Sequence, residues 1–305
     1  MADVIEIGKI QTFSLVAGST ACNARCPYCV SKMTPEQGMT PKAEEINWDR
    51  FKRGYEYALS GKAEVAMITG KGEPTLFPDH VSGYLNGLLR MEKESKGRRM
   101  VRELQTNGIA IADGDLDNSL YLWRAGDLHL VALSVVHFEE EKNRDVFTPY
   151  RSYVELPKLI DKLHHADFSV RLACVLLDGY IDSAKRLEQL IGFARDNHVE
   201  QLTIRPVNKP SESQNHSIAD WVETHHVKEW QLREMQEYLE DHGTEEKRFA
   251  FGGVVYSVFD MRHQNVCITN SLTKDESPKQ FARQIIFYPN GRIATDWTEQ
   301  GEGLK

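Results

Sequence analysis

Thr12-Phe13-Ser14-Leu15-Val16, followed at once by Cys22-Asn23-Ala24-Arg25-Cys26-Pro27-Tyr28-Cys29, decides how the rest of the chain is read. The first segment, within Ile10–Val16, is apolar and β-prone, and it reads as a buried strand. The second places three thiols at spacings of four and three residues, in a loop where that strand ends. The chain has five cysteines, three of them in this loop. An odd, clustered set without a secretory signal is not a disulfide framework; it points to metal ligation in a reducing compartment.

Outward from that loop the chain alternates. Asn47 caps a helix whose apolar face is Phe51, Tyr55, Ala58 and Leu59, with Gly61 as its stop. Glu64–Thr69 is a short strand running into a glycine-rich turn, and Val81, Tyr84, Leu85 and Leu88 mark the next helix. Val101–Thr106 is a third strand, Leu120–Trp123 belongs to a short helix, and Leu128–Val136 is a fourth strand. Leu156, Leu159, Ile160 and Leu163 give a helical stripe before the strand Ser169–Leu177. Leu187, Leu190, Ile191 and Ala194 give another before the strand Gln201–Val207. Apolar strands separated by amphipathic helices imply an α/β fold with a parallel sheet, helices on its outer face and right-handed crossovers. Six such units are too few for an eight-fold barrel, so the expectation is a partial (β/α)6 barrel; a doubly wound open sheet is the alternative. Asn208–His216, with Pro210, reads as a loop. Beyond about residue 245 strands recur. Phe249–Phe259, Val266–Thr269, and a hairpin of Ile285–Tyr288 and Arg292–Thr295 around Pro289-Asn290-Gly291 suggest a C-terminal β-containing extension. The expected division is 1–245 for the barrel and 246–305 for an extension packed on it.

The bulk numbers narrow the function. Net charge is -8, which argues against charge-driven nucleic-acid binding, and the basic run Lys96-Gly97-Arg98-Arg99 reads as a solvated loop. There is no apolar run long enough for a membrane helix and no signal sequence, so the expected location is the cytoplasm. The neighbouring pairs His164-His165 and His225-His226 point about 100° apart on a helix and read as surface rather than metal pairs.

At the cysteine loop itself two ligands compete. A [4Fe–4S] cube offers four irons, so three thiolates leave one iron open to a small molecule. Zinc in a structural site takes four ligands, and the fourth would have to come from Cys174, Cys267 or a distant histidine. Because the loop follows the first strand, either site lies at the C-terminal mouth of the sheet, where such barrels carry their chemistry.

The order of the motifs then becomes specific. Cys22, Cys26 and Cys29, with Tyr28 in the aromatic position, resemble the signature of the radical S-adenosylmethionine (SAM) superfamily. Gly70-Lys71-Gly72-Glu73-Pro74 at the end of the second strand resembles its glycine–glycine–glutamate–proline motif, with Lys71 set between the glycines. Leu104-Gln105-Thr106-Asn107-Gly108 after the third strand is similar to a phrase common in the same superfamily. The resemblance covers about residues 10–210.

It implies one [4Fe–4S] cluster held by Cys22, Cys26 and Cys29, with SAM on the open iron. Reductive cleavage of SAM to methionine and a 5′-deoxyadenosyl radical follows, with hydrogen abstraction from a substrate and a reductant such as flavodoxin or ferredoxin. Gly70 and Gly72 let the backbone approach SAM; Glu73 reads as a partner of the methionine ammonium; Tyr28 faces adenine or packs under the loop. Asn107 and Ser134 end strands where ribose or carboxylate oxygens bind. Arg171 and Arg205, in otherwise apolar strands, need an anion: SAM, a substrate carboxylate or phosphate, or an internal ion pair. His137 and Asp178 follow strands four and five and read as substrate-facing catalytic candidates.

Within the superfamily, Leu133-Ser134 and Val175-Leu176 resemble the branch of the molybdopterin-precursor cyclases and peptide-modifying enzymes. That branch carries extra C-terminal cysteines for auxiliary clusters, whereas only Cys267 stands there. Only Met1–Lys9 precede the first strand, so no leader-binding module is expected. Both features favour a small-molecule substrate, nucleotide- or sugar-derived, over a peptide. The alternatives are an activator of a glycyl-radical enzyme and a non-catalytic iron–sulfur electron carrier or sensor. The intact Gly72-Glu73-Pro74 turn argues against the carrier or sensor.

Overall fold

The computed structural model describes residues 10–95, 99–148, 153–210, 212–249, 252–258, 263–269, 282–298 and 304. Six parallel strands form its core: β1 (Thr12–Val16), β2 (Val65–Thr69), β3 (Val101–Thr106), β4 (Leu128–Val135), β5 (Ser169–Leu176) and β6 (Gln201–Pro206), side by side in that order. Five helices fill the crossovers on the outer face: α2 (Trp48–Ser60), α3 (Pro78–Ser95), α5 (Asp117–Ala125), α7 (Leu156–His165) and α8 (Ala184–Asp196). The remaining helices are α1 (Val30–Met33), α4 (Ile109–Ala112), α6 (Glu140–Phe147), α9 (His216–His225) and α10 (Glu229–His242). The Asn47 side chain accepts a hydrogen bond from the Arg50 amide at 3.1 Å and starts α2 as expected, and Gly61 ends it.

The sheet is wider than six strands. β7 (Gly243–Arg248), β8 (Val254–Val258), β9 (Gln264–Ile268), β10 (Gln284–Phe287) and β11 (Ile293–Ala294) extend it to eleven, in the order β11-β10-β1-β2-β3-β4-β5-β6-β9-β8-β7. β10 is parallel to β1 and β9 to β6, so eight adjacent strands are mutually parallel; β11 pairs antiparallel at one edge, and β8 and β7 add successive antiparallel pairings at the other. The boundary expected after residue 245 falls inside β7, and the C-terminal strands share one sheet with the barrel. The Pro289-Asn290-Gly291 turn is present between β10 and β11, with Gly291 at φ 87°, a conformation that favours glycine. Of the basic run, Arg99 pairs with Asp127, and Lys96-Gly97-Arg98 lie outside the described residues.

Side-chain alternation gives the curved sheet two faces. Outward-facing Phe13, Leu15, Ala66, Ile68, Leu104, Leu172, Cys174 and Ile204 are all buried beneath the helices. Inward-facing residues are more polar. Ser14 donates to Gln284 at 3.3 Å, and Arg171 holds both oxygens of Glu103 at 2.8 and 2.7 Å. Thr69, Gln105, Ser134, Ala173, Val175 and Arg205, from five successive strands, line one cavity, which shows that the sheet curls around it. No helix among the described residues is long and apolar enough to cross a membrane.

Candidate active site at the strand ends

The cavity lies at the C-terminal ends of the parallel strands and has a volume of about 1650 Å³. Its walls include the cysteine loop, the turn after β2, the ends of β3–β6 and the β10–β11 turn. All three loop cysteines border it. The loop is held by its own backbone: the Ala24 amide reaches Cys22 Sγ at 3.4 Å, the Cys29 amide bonds the Cys26 carbonyl at 3.2 Å, and Cys29 opens α1. Burial pushes the Cys22 thiol up to about 11 and raises that of Cys26 further, with the neighbouring thiols adding to the latter. Cys22 is exposed and Cys26 and Cys29 are half-buried, so the three thiols form a soft donor set open to a cationic centre in the cavity. Among the described residues no three His, Cys, Asp or Glu side chains converge on a point that would hold a single ion. Thiolates of a cubane each hold a different iron, so a spread three-thiol set fits a [4Fe–4S] cluster better than tetrahedral zinc.

The turn after β2 docks directly on this loop. The Glu73 amide donates to the Ala21 carbonyl at 2.9 Å. A Cβ on Gly72 would stand 2.0 Å from that carbonyl oxygen, so glycine is required here by the approach of two backbones. That differs from the expected reason, an approach to SAM. Glu73 is buried, and its carboxylate accepts from the Thr75 amide (3.0 Å), Thr75 Oγ1 (2.6 Å), Thr106 Oγ1 (2.6 Å) and the Asn107 amide (2.9 Å). Burial raises its pKa and these four donors oppose the rise. Glu73 is therefore a clip between the ends of β2 and β3, with its oxygens committed to protein donors rather than to a ligand ammonium. Asn107 continues the chain of contacts: its amide nitrogen reaches Asn23 Oδ1 at 2.7 Å, within the cysteine loop, and its oxygen accepts from the Ile109 amide at 3.0 Å. Lys71, the departure from the glycine pattern, is buried and donates to Thr34 Oγ1 at 2.5 Å. Burial lowers it to about 8, against the pull of Cys29 and Glu36. Tyr28 borders the cavity and packs edge-on against Phe147, with Trp221 of α9 at 6.5 Å.

The structure thus brings Cys22, Cys26, Cys29, Tyr28, Gly70, Gly72, Glu73, Asn107, Ser134 and Arg205 to one cavity. Three candidates lie elsewhere. Arg171 is occupied by Glu103 and by Gln201, whose oxygen it reaches at 2.8 and 2.6 Å, so it is the internal ion pair. His137 is buried and accepts the Glu139 amide on Nδ1 at 3.1 Å, while Asn143 bonds the flanking backbone; it shapes the turn after β4 and does not line the cavity. Asp178 accepts from Gln231 of α10 at 2.9 Å and ties that helix to the end of β5. Neither residue lines the cavity, and both serve local structure: a polar residue just past a strand is also where a loop needs an acceptor. Sequence reasoning missed Lys32, Thr34, Gln214 and the Asn290–Arg292 turn as cavity walls. The hairpin turn was legible as a turn, but nothing in it shows that it folds back over the first strand.

A curled parallel sheet carrying three thiols on the loop after its first strand, clipped to a Gly-Lys-Gly-Glu-Pro turn after its second, is the arrangement that the resemblance to the radical SAM superfamily implies. No family model matches it. It is similar to the GTP 3′,8-cyclase of Vibrio vulnificus, found in two strains, at 25% identity over 201 residues, which are 58% of this chain and 58% of the cyclase. The structure of Streptococcus suis SuiB bound to S-adenosylmethionine superposes with a TM-score of 0.63 at 13% identity, over 96% of this chain and 61% of SuiB. SuiB bound to its precursor peptide SuiA gives 0.55 at 12% identity, over 97% of this chain and 62% of SuiB. The SuiB likeness shows the fold. The chain spans less than two thirds of the length of each of these proteins.

Proposed function

We propose that this chain is a radical SAM enzyme that binds one [4Fe–4S] cluster at Cys22, Cys26 and Cys29 and acts on a small molecule held in the cavity at the strand ends. When bound, the cluster and SAM together supply an electron and a 5′-deoxyadenosyl group that takes a hydrogen atom from the substrate. The protein's own part is placement. Glu73 and Asn107 fix the cysteine loop against the ends of β2 and β3, so the three thiols face the cavity in a set geometry. Lys71 ties Thr34, four residues past the signature's α1 start, to the turn after β2. Tyr28, Phe147 and Trp221 make an apolar collar beside the thiols that limits water there. The observation that carries the reading is the docking of the Gly72–Glu73 backbone on Ala21, which joins the thiol loop and the SAM-type turn into one wall. A likeness to a cyclase that acts on GTP agrees with a nucleotide-derived substrate.

A peptide segment is the second reading. A cavity of about 1650 Å³ exceeds the roughly 300–1,000 Å³ of ordinary small-molecule pockets, and SuiB, of like fold, has been seen with a peptide. Titrating SAM into the anaerobically reconstituted protein, then assaying 5′-deoxyadenosine under strong reductant, tests the primary reading. Binding and slow substrate-free cleavage are expected. A fully loaded cluster with no SAM binding would leave only an electron-carrier role.

A further inference from the structure

Arg205 ends β6 and faces the cavity, yet among the described residues it makes no hydrogen bond or ion pair, and its Nε is buried without a partner. The carboxylate nearest to it in charge, Glu103, already gives both oxygens to Arg171. Arg171 and Arg283 also lie close enough to repel it, so among the described residues three guanidiniums here meet one committed carboxylate. A desolvated guanidinium in such surroundings is costly unless an anion meets it, and its planar fork suits a carboxylate or phosphate in two-point contact.

Two molecules could bring that anion: SAM through its methionine carboxylate, or the substrate. Position separates them. The cysteine loop and the turn after β2 belong to β1 and β2, whereas Arg205 ends β6, with β3, β4 and β5 between. The cluster side has cations of its own, since Lys32 and Lys71 both border the cavity there and both are coupled electrostatically to the thiols. The register places Arg205 beside Val175 and, one pair further along, Ala173 beside Ser134, so a smooth, small-residue floor leads up to the guanidinium. A cavity of this volume has room for a second molecule next to SAM.

We infer that Arg205 is the anchor for an anionic group, phosphate or carboxylate, on the substrate, which makes this a site for an anionic small molecule. The inference rests on the radical SAM reading only for the word substrate; the anion site stands on the geometry alone. Burial lowers the Arg205 pKa, in line with a group that lacks its counter-ion.

The test uses inorganic pyrophosphate and succinate as probes, measured calorimetrically on the reconstituted protein with and without saturating SAM. At least one probe is expected to bind in both conditions, and Arg205→Met to weaken it by about tenfold or more, the loss of a charge-assisted contact. SAM affinity is expected to change less than about twofold, well under that loss. Arg205→Lys should recover part of the probe binding, which a folding defect would not allow. If Arg205→Met instead weakens SAM and spares the probes, the guanidinium serves the cofactor and the inference falls. It falls also if neither probe binds the parent protein. Failure of SAM to bind with probe binding intact would overturn the radical SAM reading and leave the anion site standing.

Discussion

The two walls of the cavity handle polar groups in opposite ways. On the cluster wall, Glu73 accepts four hydrogen bonds, Asn107 bridges to Asn23, and Lys71 is spent on Thr34. On the opposite wall Ser134 and Arg205 have no hydrogen-bond partner among the described residues, and Ala173 and Val175 between them are smooth. A wall whose polar groups satisfy one another is preorganised and tolerates little change. A wall with open groups on rigid strands is free to be read by a ligand. The first suits a common cofactor, the second a particular substrate.

The comparison breaks most readily at the thiols. Cys26→Ala removes one of three ligands and is expected to abolish cluster loading, read as iron and sulfide per chain and as visible absorbance, whereas Cys174→Ser and Cys267→Ser leave about four irons. Cys174 is buried on the outer, helix-covered face of β5, and Cys267 faces the interior away from the other thiols, so an iron content near eight would refute the single-cluster assignment.

Next in size are the clips. Glu73→Ala strands four donors in a buried setting and should cost about 2–3 kcal/mol in urea unfolding. Gly72→Ala places a methyl against the Ala21 carbonyl and should cost about 1–3 kcal/mol while also lowering iron content, because the loop that must yield carries Cys22. If Gly72→Ala kept full iron and lost only SAM affinity, the turn would be a ligand contact and the two-backbone explanation would fail. The open wall should respond differently: Ser134→Ala is expected to change stability by less than about 0.5 kcal/mol.

The smallest effect sharpens the case of His137. Burial lowers its pKa below the ordinary 6.5, so the folded protein keeps it neutral while the unfolded chain takes up a proton. Its stabilisation is complete above pH 6.5 and is lost as pH falls through the window beneath that value. His137→Asn, which keeps an acceptor for the Glu139 amide, should flatten that part of the pH–stability curve and leave SAM cleavage unchanged. A large loss of activity would return His137 to the site.

The barrel was legible because its strands are apolar runs and its helices carry dense stripes such as Leu156, Leu159, Ile160 and Leu163, all buried as expected. The three thiols and the turn after β2 were legible because their chemistry is tied to fixed spacing. The helices α9 and α10 bury only Ala219 and Val222, and Gln231, Met235 and Leu239, too thin a stripe to stand out. β7, Gly-Thr-Glu-Glu-Lys-Arg, is an exposed edge strand whose charges hide its type, and such charges are how edges avoid further pairing. Arg171 and Arg205 looked alike in sequence, two arginines in apolar strands. Which one is paired depends on whether a carboxylate stands across the barrel, and Glu103 is two strands and 68 residues away from Arg171. Spacing along the chain carries no trace of that.

The central claim, that the thiol wall drives SAM cleavage, is tested most directly by 5′-deoxyadenosine release from anaerobically reconstituted protein with SAM and dithionite, comparing the parent with Cys22→Ala, Cys26→Ala and Cys29→Ala. The account predicts product from the parent and none above the reagent blank from any variant. Undiminished release from Cys26→Ala, or none from a parent protein carrying four irons, would contradict it.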